Sequence, residues 1–386
     1  MNKYNTLFGQ LLSQVKRPDF DKLCRTMNSD KYRKGFSTWE QFGVMTFAQI
    51  TGQSGLRSIE NALNNQMSSF YHLGFKSAVK RSTISYANQQ HNSDFFEALY
   101  YQLLSGLERG TRKVTEKKLY AVDATTIGLC MKDFPWAKFR STKSGIKIHV
   151  KYDIGESVPE YLFVTNAEEH ENNTLGKMKL KSGDIVTFDR GYNNYTQFSE
   201  FCNNGIYFVT RLKDNADYKV IKRRKTRTKK ITSDHIIQFT GQTAKTKCSN
   251  ELRRIRVVDS ETGKAIVLLT NMRSCSAEKV AEIYRKRWQI ELFFKAIKQN
   301  LKIKRFYGTS ENAVKTQIWI AMIVYLLFMM LKKTTGVMSK RFTHFISEIS
   351  VSLFQHIDIH VWFSGSSQPP PIHDPYISPL QLELVG

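Results

Sequence analysis

From the N-terminus to about residue 110, apolar positions recur at intervals of three and four, as in Phe42, Met45, Phe47 and Ile50 and later Phe95, Leu99, Tyr101 and Leu104. That spacing is the period of a helix with one buried stripe, so residues 1–112 are expected to be all helical. From Lys118 the texture changes. KLYAVDATTIGL, GIKIHVKYDI, EYLFVTN, DIVTFDRG and IYFVTRLK are short β-branched and aromatic runs bounded by Gly, Pro, Asn or Asp, which predicts five strands. Between the last two, NNYTQFSEFCNNG opens on polar residues, spaces Tyr195, Phe198 and Phe201 as a helix does and closes on Gly205, so a helix links those strands. Residues 213–269 look β-rich again (HIIQFT, LRRIRVVD, AIVLLTN) around a basic tract. A long helix pattern follows from Ala277 to Lys298, with Ser276 as its cap. No internal repeat is present. The expected organisation is a helical region 1–112, an α/β core from 113–212 and 270–335, a β-rich basic insertion 213–269, and a C-terminal helical segment and tail 336–386. The final GSSQPPPIHDPYISPLQLELVG is rich in Pro and Ser and is expected to pack loosely.

Composition narrows what such a chain can meet. At 386 residues and 41% hydrophobic it can bury a real core, which excludes disorder throughout. Lys and Arg number 58 against 34 Asp and Glu, a net charge of +24, and a chain this basic is expected to meet a polyanion, nucleic acid first. The longest apolar stretch, Ile318 to Leu331, is shorter than the roughly 20 residues a membrane span needs, so it is expected to be a buried helix and no membrane partner is expected. The start, MNKYNTLFGQLLSQVKRPDF, has no long apolar run ending in a small-residue cleavage site, so no signal peptide is expected. The five cysteines lie far apart with no CxxC pair, which argues against a zinc module or a disulfide framework and fits reduced thiols in the cytoplasm.

Three carboxylates stand out against this background. Asp123 lies inside the apolar strand run AVDATTI and Asp189 at the strand end VTFDRGY, positions where a charge is costly unless it is paired or holds a cation. Either aspartate alone reads first as a structural residue, pairing with Arg or capping a turn. On the helix that follows, Tyr284, Arg287, Glu291 and Lys298 are spaced three, four and seven apart, so the helical repeat places all four on one face. Without the two aspartates, that face would read as an ordinary ion-paired surface. Cleaving a phosphodiester requires an activated water or 3′-hydroxyl and a neutralised leaving oxygen, which two Mg²⁺ ions about 4 Å apart supply together. Mg²⁺ takes carboxylate oxygens and keeps several waters, so three carboxylates from three elements plus DNA phosphates suit it. Arg287 would hold phosphate bidentately, Lys298 as a point charge, Tyr284 by a hydrogen bond, and Trp288 could stack on a displaced base.

The ordered set AVDATT, TFDRGY and YRKRWQIELFFKAIK resembles the DDE transposases of bacterial insertion sequences, in the subgroup marked by Tyr-x2-Arg-x3-Glu-x6-Lys. The likeness spans roughly residues 115–335 by motif. It implies that Asp123, Asp189 and Glu291 take the places of the catalytic, metal-binding triad, with Mg²⁺ or Mn²⁺ as cofactor. It also implies a ribonuclease-H-like catalytic core with a β-rich insertion before the Glu. The 102 residues from Asp189 to Glu291, against 66 from Asp123 to Asp189, are what such an insertion would produce. The implied activity is cut-and-paste transposition: binding of terminal inverted repeats, strand nicking, a hairpin on the transposon end, and strand transfer into target DNA. A homodimer holding two paired ends, at work in the cytoplasm on the bacterial nucleoid, goes with it. Two other readings stay open, a nuclease that cuts without joining and a DNA-binding descendant that no longer holds metal.

Weaker signals remain. KVIKRRKTRTKK, residues 219–230, holds eight Lys or Arg and no acid, so Lys222, Arg223, Arg224 and Lys225 are candidate phosphate contacts or a solvated basic hairpin. Arg190, beside Asp189, is a further phosphate candidate. Lys80 and Arg81 open AVKRSTISYANQQHN, a helix that offers Ser82, Thr83, Ser85 and Asn88 as well; with the helix at GLRSIENAL it could form a helix-turn-helix on DNA, or be two ordinary helices. His149 and His170 lie between the two aspartates and are either phosphate-orienting or locally bonded. Asp133, Asp153 and Asp184 are rival carboxylates, the last two placed as turn residues are.

Overall fold

The computed structural model describes residues 6–364 except 34, 76, 110–117, 141, 142, 170, 172, 173, 227 and 259–262. His170 and the Pro-rich tail from Gly365 lie outside the described residues. The chain divides into two compact units, Met1–Tyr100 with Ile320–Gly386, and Tyr101–Trp319.

The first unit is helical. It contains α1 (Leu7–Ser13), α2 (Arg17–Thr26), α3 (Thr38–Ile50), α4 (Leu56–Asn64), α5 (Met67–Tyr71), α6 (Arg81–Gln90) and the start of α7 (Asp94–Arg109). The central helix, α3, is buried along its whole length and starts at a capping box in which Ser37 and Glu40 satisfy each other's backbone N–H groups. The chain returns to this unit at its far end. The Leu7 and Phe8 amides donate to the Gln355 and Leu353 carbonyls at 3.0 and 2.8 Å. Phe8, Phe47 and Phe354 surround Phe70 with ring centroids 5.7, 5.4 and 5.6 Å away. The described part of 336–386 therefore helps close the N-terminal core.

The second unit is built on one ten-stranded mixed sheet. Its elements in chain order are β1 (Leu119–Leu129), β2 (Lys138–Arg140), β3 (Lys143–Asp153), β4 (Val158–Asn166), β5 (Ile185–Phe188), α8 (Tyr195–Asn203), β6 (Tyr207–Arg211), β7 (Tyr218–Arg223), β8 (Ile231–Phe239), α9 (Gln242–Lys247), β9 (Leu252–Val258), β10 (Ala265–Thr270), α10 (Ala277–Lys286) and α11 (Trp288–Asn300). A last long helix, α12 (Glu311–Thr334), leads into α13 (Phe342–Val351) and α14 (Ile359–Ser364) of the helical unit. The strand order is β2-β3-β1-β5-β6-β10-β9-β8-β7, with β4 also on β3. β1, β5 and β6 run parallel, and every other pairing is antiparallel. Within 213–269, β7 to β9 extend the sheet outward from β10.

Strand alternation sets which residues face which layer. Tyr120, Val122, Val186, Phe188 and Phe208 pack with Phe198 and Phe201 of α8 on one face. Val209, Ile255 and Leu268 pack with Ala277, Val280 and Ile283 of α10 on the other. Asp123 and Asp189 are one residue out of step with Val122 and Phe188, so they belong to the second face, where α10 and α11 lie.

Four expectations change. The basic tract is in part strand β7, the exposed last strand of the sheet, where Lys and Arg on the open edge discourage pairing with another chain. The expected single helix 277–298 divides at Arg287, whose amide donates to the Tyr284 carbonyl at 3.1 Å while Ile290 donates back to Arg287 at 3.1 Å. Those i to i−3 bonds tighten the chain by one residue. The short β2 and α9 carried no signal in the apolar pattern. Between α4 and α6 lies α5, so these two helices are not joined by the short turn of a helix-turn-helix. The helix α12 is long and apolar enough to cross a membrane by length and composition, and 89% of its apolar window is buried within the protein.

Candidate active site

The parallel pairing of β1 with β5 ends at Val122 opposite Phe188, so Asp123 and Asp189 emerge side by side at the next position. α11 packs on β1 and α10 on β5 and β6, which brings the helical residues over these two carboxylates. The Tyr284 hydroxyl donates to Asp189 Oδ1 at 3.5 Å. Arg287 donates through Nη2 to Glu291 Oε1 at 2.6 Å and reaches Asp123 Oδ2 through Nη1 at 4.0 Å. Lys298 Nζ donates to the Thr126 carbonyl of β1 at 3.4 Å. The break at Arg287 therefore leaves Tyr284, Arg287, Glu291 and Lys298 aimed at one strip of the sheet.

Burial decides the electrostatics. Desolvation pushes the Asp123 carboxyl up to about 6; the Ala124 amide, at 2.8 Å, and Arg287 pull against it, while Glu171 and Glu291 push the same way as burial. For Arg287, burial disfavours the charge, but Tyr284, Glu291 and Asp123 more than offset it and hold the guanidinium above its ordinary value. Arg287 Nε is buried without a partner. Burial lowers Lys298, helped by Lys304 and opposed by Asp123, and burial likewise raises Tyr284. Trp288 and Leu292 are exposed on the outer side of α11.

The triad expected to hold metal is thus brought to one face, but it is not a closed ligand set. Among the described residues no three His, Cys, Asp or Glu side chains are close enough to share one ion. The reason is visible in the geometry, since Arg287 supplies the positive charge between Asp123 and Glu291. The donors themselves are hard carboxylate oxygens, one of them, on the half-buried Asp123, pushed up partly by its acidic neighbours, and that chemistry fits a divalent cation.

Other candidates sort clearly. Arg190 pairs with Asp214 at 2.8 Å on the surface. Lys222, Arg223 and Lys225 are exposed, whereas Arg224 donates to the Arg273 carbonyl at 2.6 Å and lies 3.7 Å from Asp234, so it is held by the fold. Lys80 and Arg81 are exposed at the start of α6. Asn88 is not on that surface: it is buried, accepting from Gln41 Nε2 at 2.9 Å. His149 is buried, stacked on Phe163 at 4.8 Å, bonded to Thr165 and pulled down to about 4 by burial, so it is neutral and structural. Asp153 accepts from the Gly155 and Glu156 amides and Asp184 from the Lys181 amide, as turn residues do.

Two groups at the site had no signal of their own. Glu171, in the connection between β4 and β5, lies 3.6 Å from Lys147. Tyr192, three residues after Asp189, is fully buried and its hydroxyl has no partner. The proximity of Tyr192 could have been inferred from DRGY; no spacing rule would have found Glu171.

A basic chain with carboxylates and cationic side chains converging at the ends of parallel strands has the chemistry of a phosphoryl-transfer enzyme acting on a polyanion. Residues 115–327 match the family described as Transposase DDE domain, and residues 3–76 a domain of unknown function (DUF4372). A Sinorhizobium fredii protein named as transposase y4zB is 31% identical over 77% of this chain and 84% of its own length. A Geobacillus stearothermophilus protein named as the transposase for insertion sequence element IS5377 is 30% identical over 66% of this chain and 69% of its own length. The solved synaptic complex of piggyBac transposase with hairpin DNA aligns with 96% of this chain and 84% of that chain, at 11% identity and a TM-score of 0.49. The chain belongs to the DDE transposase family, and it is an insertion-sequence transposase.

Proposed function

We propose that Asp123, Asp189 and Glu291 are the carboxylates of DNA strand cleavage and strand transfer in cut-and-paste transposition, on a ribonuclease-H-like core formed by β4-β3-β1-β5-β6. The strand order and the parallel run β1-β5-β6 support that core. One observation carries the assignment: adjacent parallel strands present Asp123 and Asp189 at the same level, and Arg287 links Asp123 to Glu291 from the helix above. Mg²⁺ or Mn²⁺ held by these carboxylates would lower the pKa of the attacking water, neutralise the leaving oxygen and orient the phosphodiester.

The chain's own residues do the rest. Arg287, whose guanidinium stands between Asp123 and Glu291, would meet the phosphate that arrives at these carboxylates. Tyr284 orients Asp189 through its hydroxyl. Lys298, lying over β1, offers a second cation to the phosphate. Trp288 presents an open ring for an unstacked base. Lys222, Arg223 and Lys225 on and after β7, with Lys80, Arg81 and Arg190, add sequence-independent phosphate contacts to terminal repeats and target DNA. Two protomers, each holding one end, would coordinate cleavage and joining.

The test is incubation of the full-length protein and its Glu291→Gln variant with a supercoiled plasmid carrying the gene and its flanking DNA in Mg²⁺. Breaks confined to the element's two ends, joined products, and loss of both in the variant are expected. Scattered breaks without joining would assign a nuclease instead, and binding without cleavage would overturn the catalytic assignment.

A further inference from the structure

We propose that the open hollow beside Asp189, between the turn Arg190–Tyr192 and the loop that follows β6, is a subsite for a backbone phosphate of DNA next to the catalytic centre, and that Asp214 holds the place of that phosphate on Arg190 until DNA arrives. The proposal rests on the reading of Asp189 as a catalytic carboxylate given above.

The fold puts the hollow there. β5 and β6 pair in parallel, with Thr187 opposite Val209, so their carboxyl ends open on the edge of the sheet where the β1–β5 pairing ends and Asp123 and Asp189 emerge. In open α/β sheets that edge is where ligands bind. Arg190 and Gly191 line the hollow from the β5 side and Lys213, Asp214 and Asn215 from the β6 side, around a volume of about 390 Å³. Its two walls are tied together. Asn193 Nδ2 donates to the Arg211 carbonyl at 2.8 Å, and Asn193 Oδ1 accepts from the Thr210 hydroxyl at 2.9 Å. Each wall is also closed by a turn, the Asn193 amide donating to the Arg190 carbonyl and the Ala216 amide to the Lys213 carbonyl, both at 3.2 Å. The Leu212 amide fixes the second wall to β10 through the Val267 carbonyl at 2.9 Å. These bonds run through backbone and Asn193, so the side chains in the hollow can exchange partners without moving the walls.

The charges suit such an exchange. Arg190 Nη1 lies 2.8 Å from Asp214 Oδ2, with the two side chains 46% and 92% exposed. A carboxylate offers a guanidinium the same kind of oxygens as a phosphate does. A pair this open to water contributes little, so giving up Asp214 for a phosphate costs the protein little. The pair of Arg253 and Asp234 shows the opposite design, with side chains 1% and 3% exposed and no route for an incoming anion. Lys213 is exposed and has no ion pair of its own among the described residues, so it adds a second cation at the rim of the hollow.

Binding of the full-length protein to a labelled duplex carrying one end of its element, followed by fluorescence anisotropy in EDTA, tests this apart from cleavage. Arg190→Gln is expected to weaken binding several-fold and to lower the salt slope by about 0.9. Asp214→Asn is expected to tighten binding about two- to fivefold, the worth of one exposed ion pair, and to lose that gain in the Arg190→Gln background. If Asp214→Asn tightens binding equally in both backgrounds, Asp214 is only a repelling charge and the proposal fails; it fails as well if neither substitution changes binding. Neutral methylphosphonate linkages placed one at a time along the duplex locate the contact. A linkage beside the scissile phosphate is expected to weaken wild type and to leave Arg190→Gln unaffected, whereas a response confined to linkages far from the cut would overturn the subsite. An unrelated duplex of the same length separates the two sources of phosphate: a response limited to the element's end assigns the hollow to the strand being cut, and an equal response on both assigns it to any DNA backbone, target included. Cleavage by Glu291→Gln would instead sink the reading of the carboxylates, whatever the two binding variants show.

Discussion

Replacing Asp123 by Asn should destroy cleavage and at the same time stabilise the metal-free protein. The Asp123 carboxyl moves from 3.8 to about 6 on folding, so the folded protein holds this proton more tightly than the unfolded chain. The stability this contributes is complete below pH 4 and is lost as pH rises through 6. A shift of about two units at 1.36 kcal/mol each means that the ionised carboxylate costs about 3 kcal/mol at pH 8 relative to a neutral isostere. The group is 23% exposed, so solvent screens little of this. Asn keeps an oxygen for the Ala124 amide at 2.8 Å, and Arg287 keeps Glu291 at 2.6 Å, so no partner is stranded. Melting followed by intrinsic fluorescence in EDTA should place the variant several degrees above wild type at pH 8, given roughly 2–4 °C per kcal/mol for a unit of this size. The gap should close towards pH 4.5. Adding Mg²⁺ should raise the wild-type transition and leave the variant's unchanged. A variant less stable than wild type by the same amount at both pH values would refute the argument, because Asp123 would then be a fold residue and not a strained ligand.

Other perturbations separate charge that serves DNA from charge that serves the fold. Arg253, fully buried, grips Asp234 with two bonds of 2.9 and 2.7 Å and donates to the Met272 and Cys275 carbonyls ahead of α10. Arg253→Met should cost about 3–5 kcal/mol by urea unfolding, and adding Asp234→Leu should restore most of it, because an unpaired buried charge costs more than the pair's absence. Lys222→Gln and Arg223→Gln should each lower the salt slope of DNA binding by about 0.9 with stability unchanged, measured by fluorescence anisotropy across salt concentrations. Arg224→Gln should instead lower the melting temperature and leave that slope nearly untouched, because Arg224 is held by Arg273 and Asp234. Arg287→Lys should slow cleavage about tenfold or more in single-turnover assays with little change in DNA affinity, since an ammonium cannot span Asp123 and Glu291 as the guanidinium does.

What the sequence revealed follows from which interactions are local. The β1 run shows Asp123 out of step with Val122, and in a strand that parity alone selects the face; the same holds for Asp189 against Phe188. The spacing of Tyr284, Arg287, Glu291 and Lys298 likewise fixes a direction, and a one-residue tightening at Arg287 alters no residue's identity, so the break was invisible. The β7 strand was hidden because it lies at an open edge, with no apolar alternation to display. The closure of the N-terminal helices by Phe354, the Arg253–Asp234 pair and the approach of Glu171 to Gly191 depend on sheet register and chain return, which no local pattern encodes.

That division also explains why the site looks half assembled. A buried carboxylate beside other acids is stable only if something positive stands near it, and the cheapest cation available to the folded chain is its own. Arg287 takes that place between Asp123 and Glu291. A protein with a net charge of +24 keeps many other cations for the DNA backbone, so committing one arginine as an internal counterion takes little from DNA binding. The arginine that pacifies the carboxylates before DNA binds is therefore the group best placed to hold the scissile phosphate once it arrives, and its substitution should affect the chemical step more than the binding of the double helix.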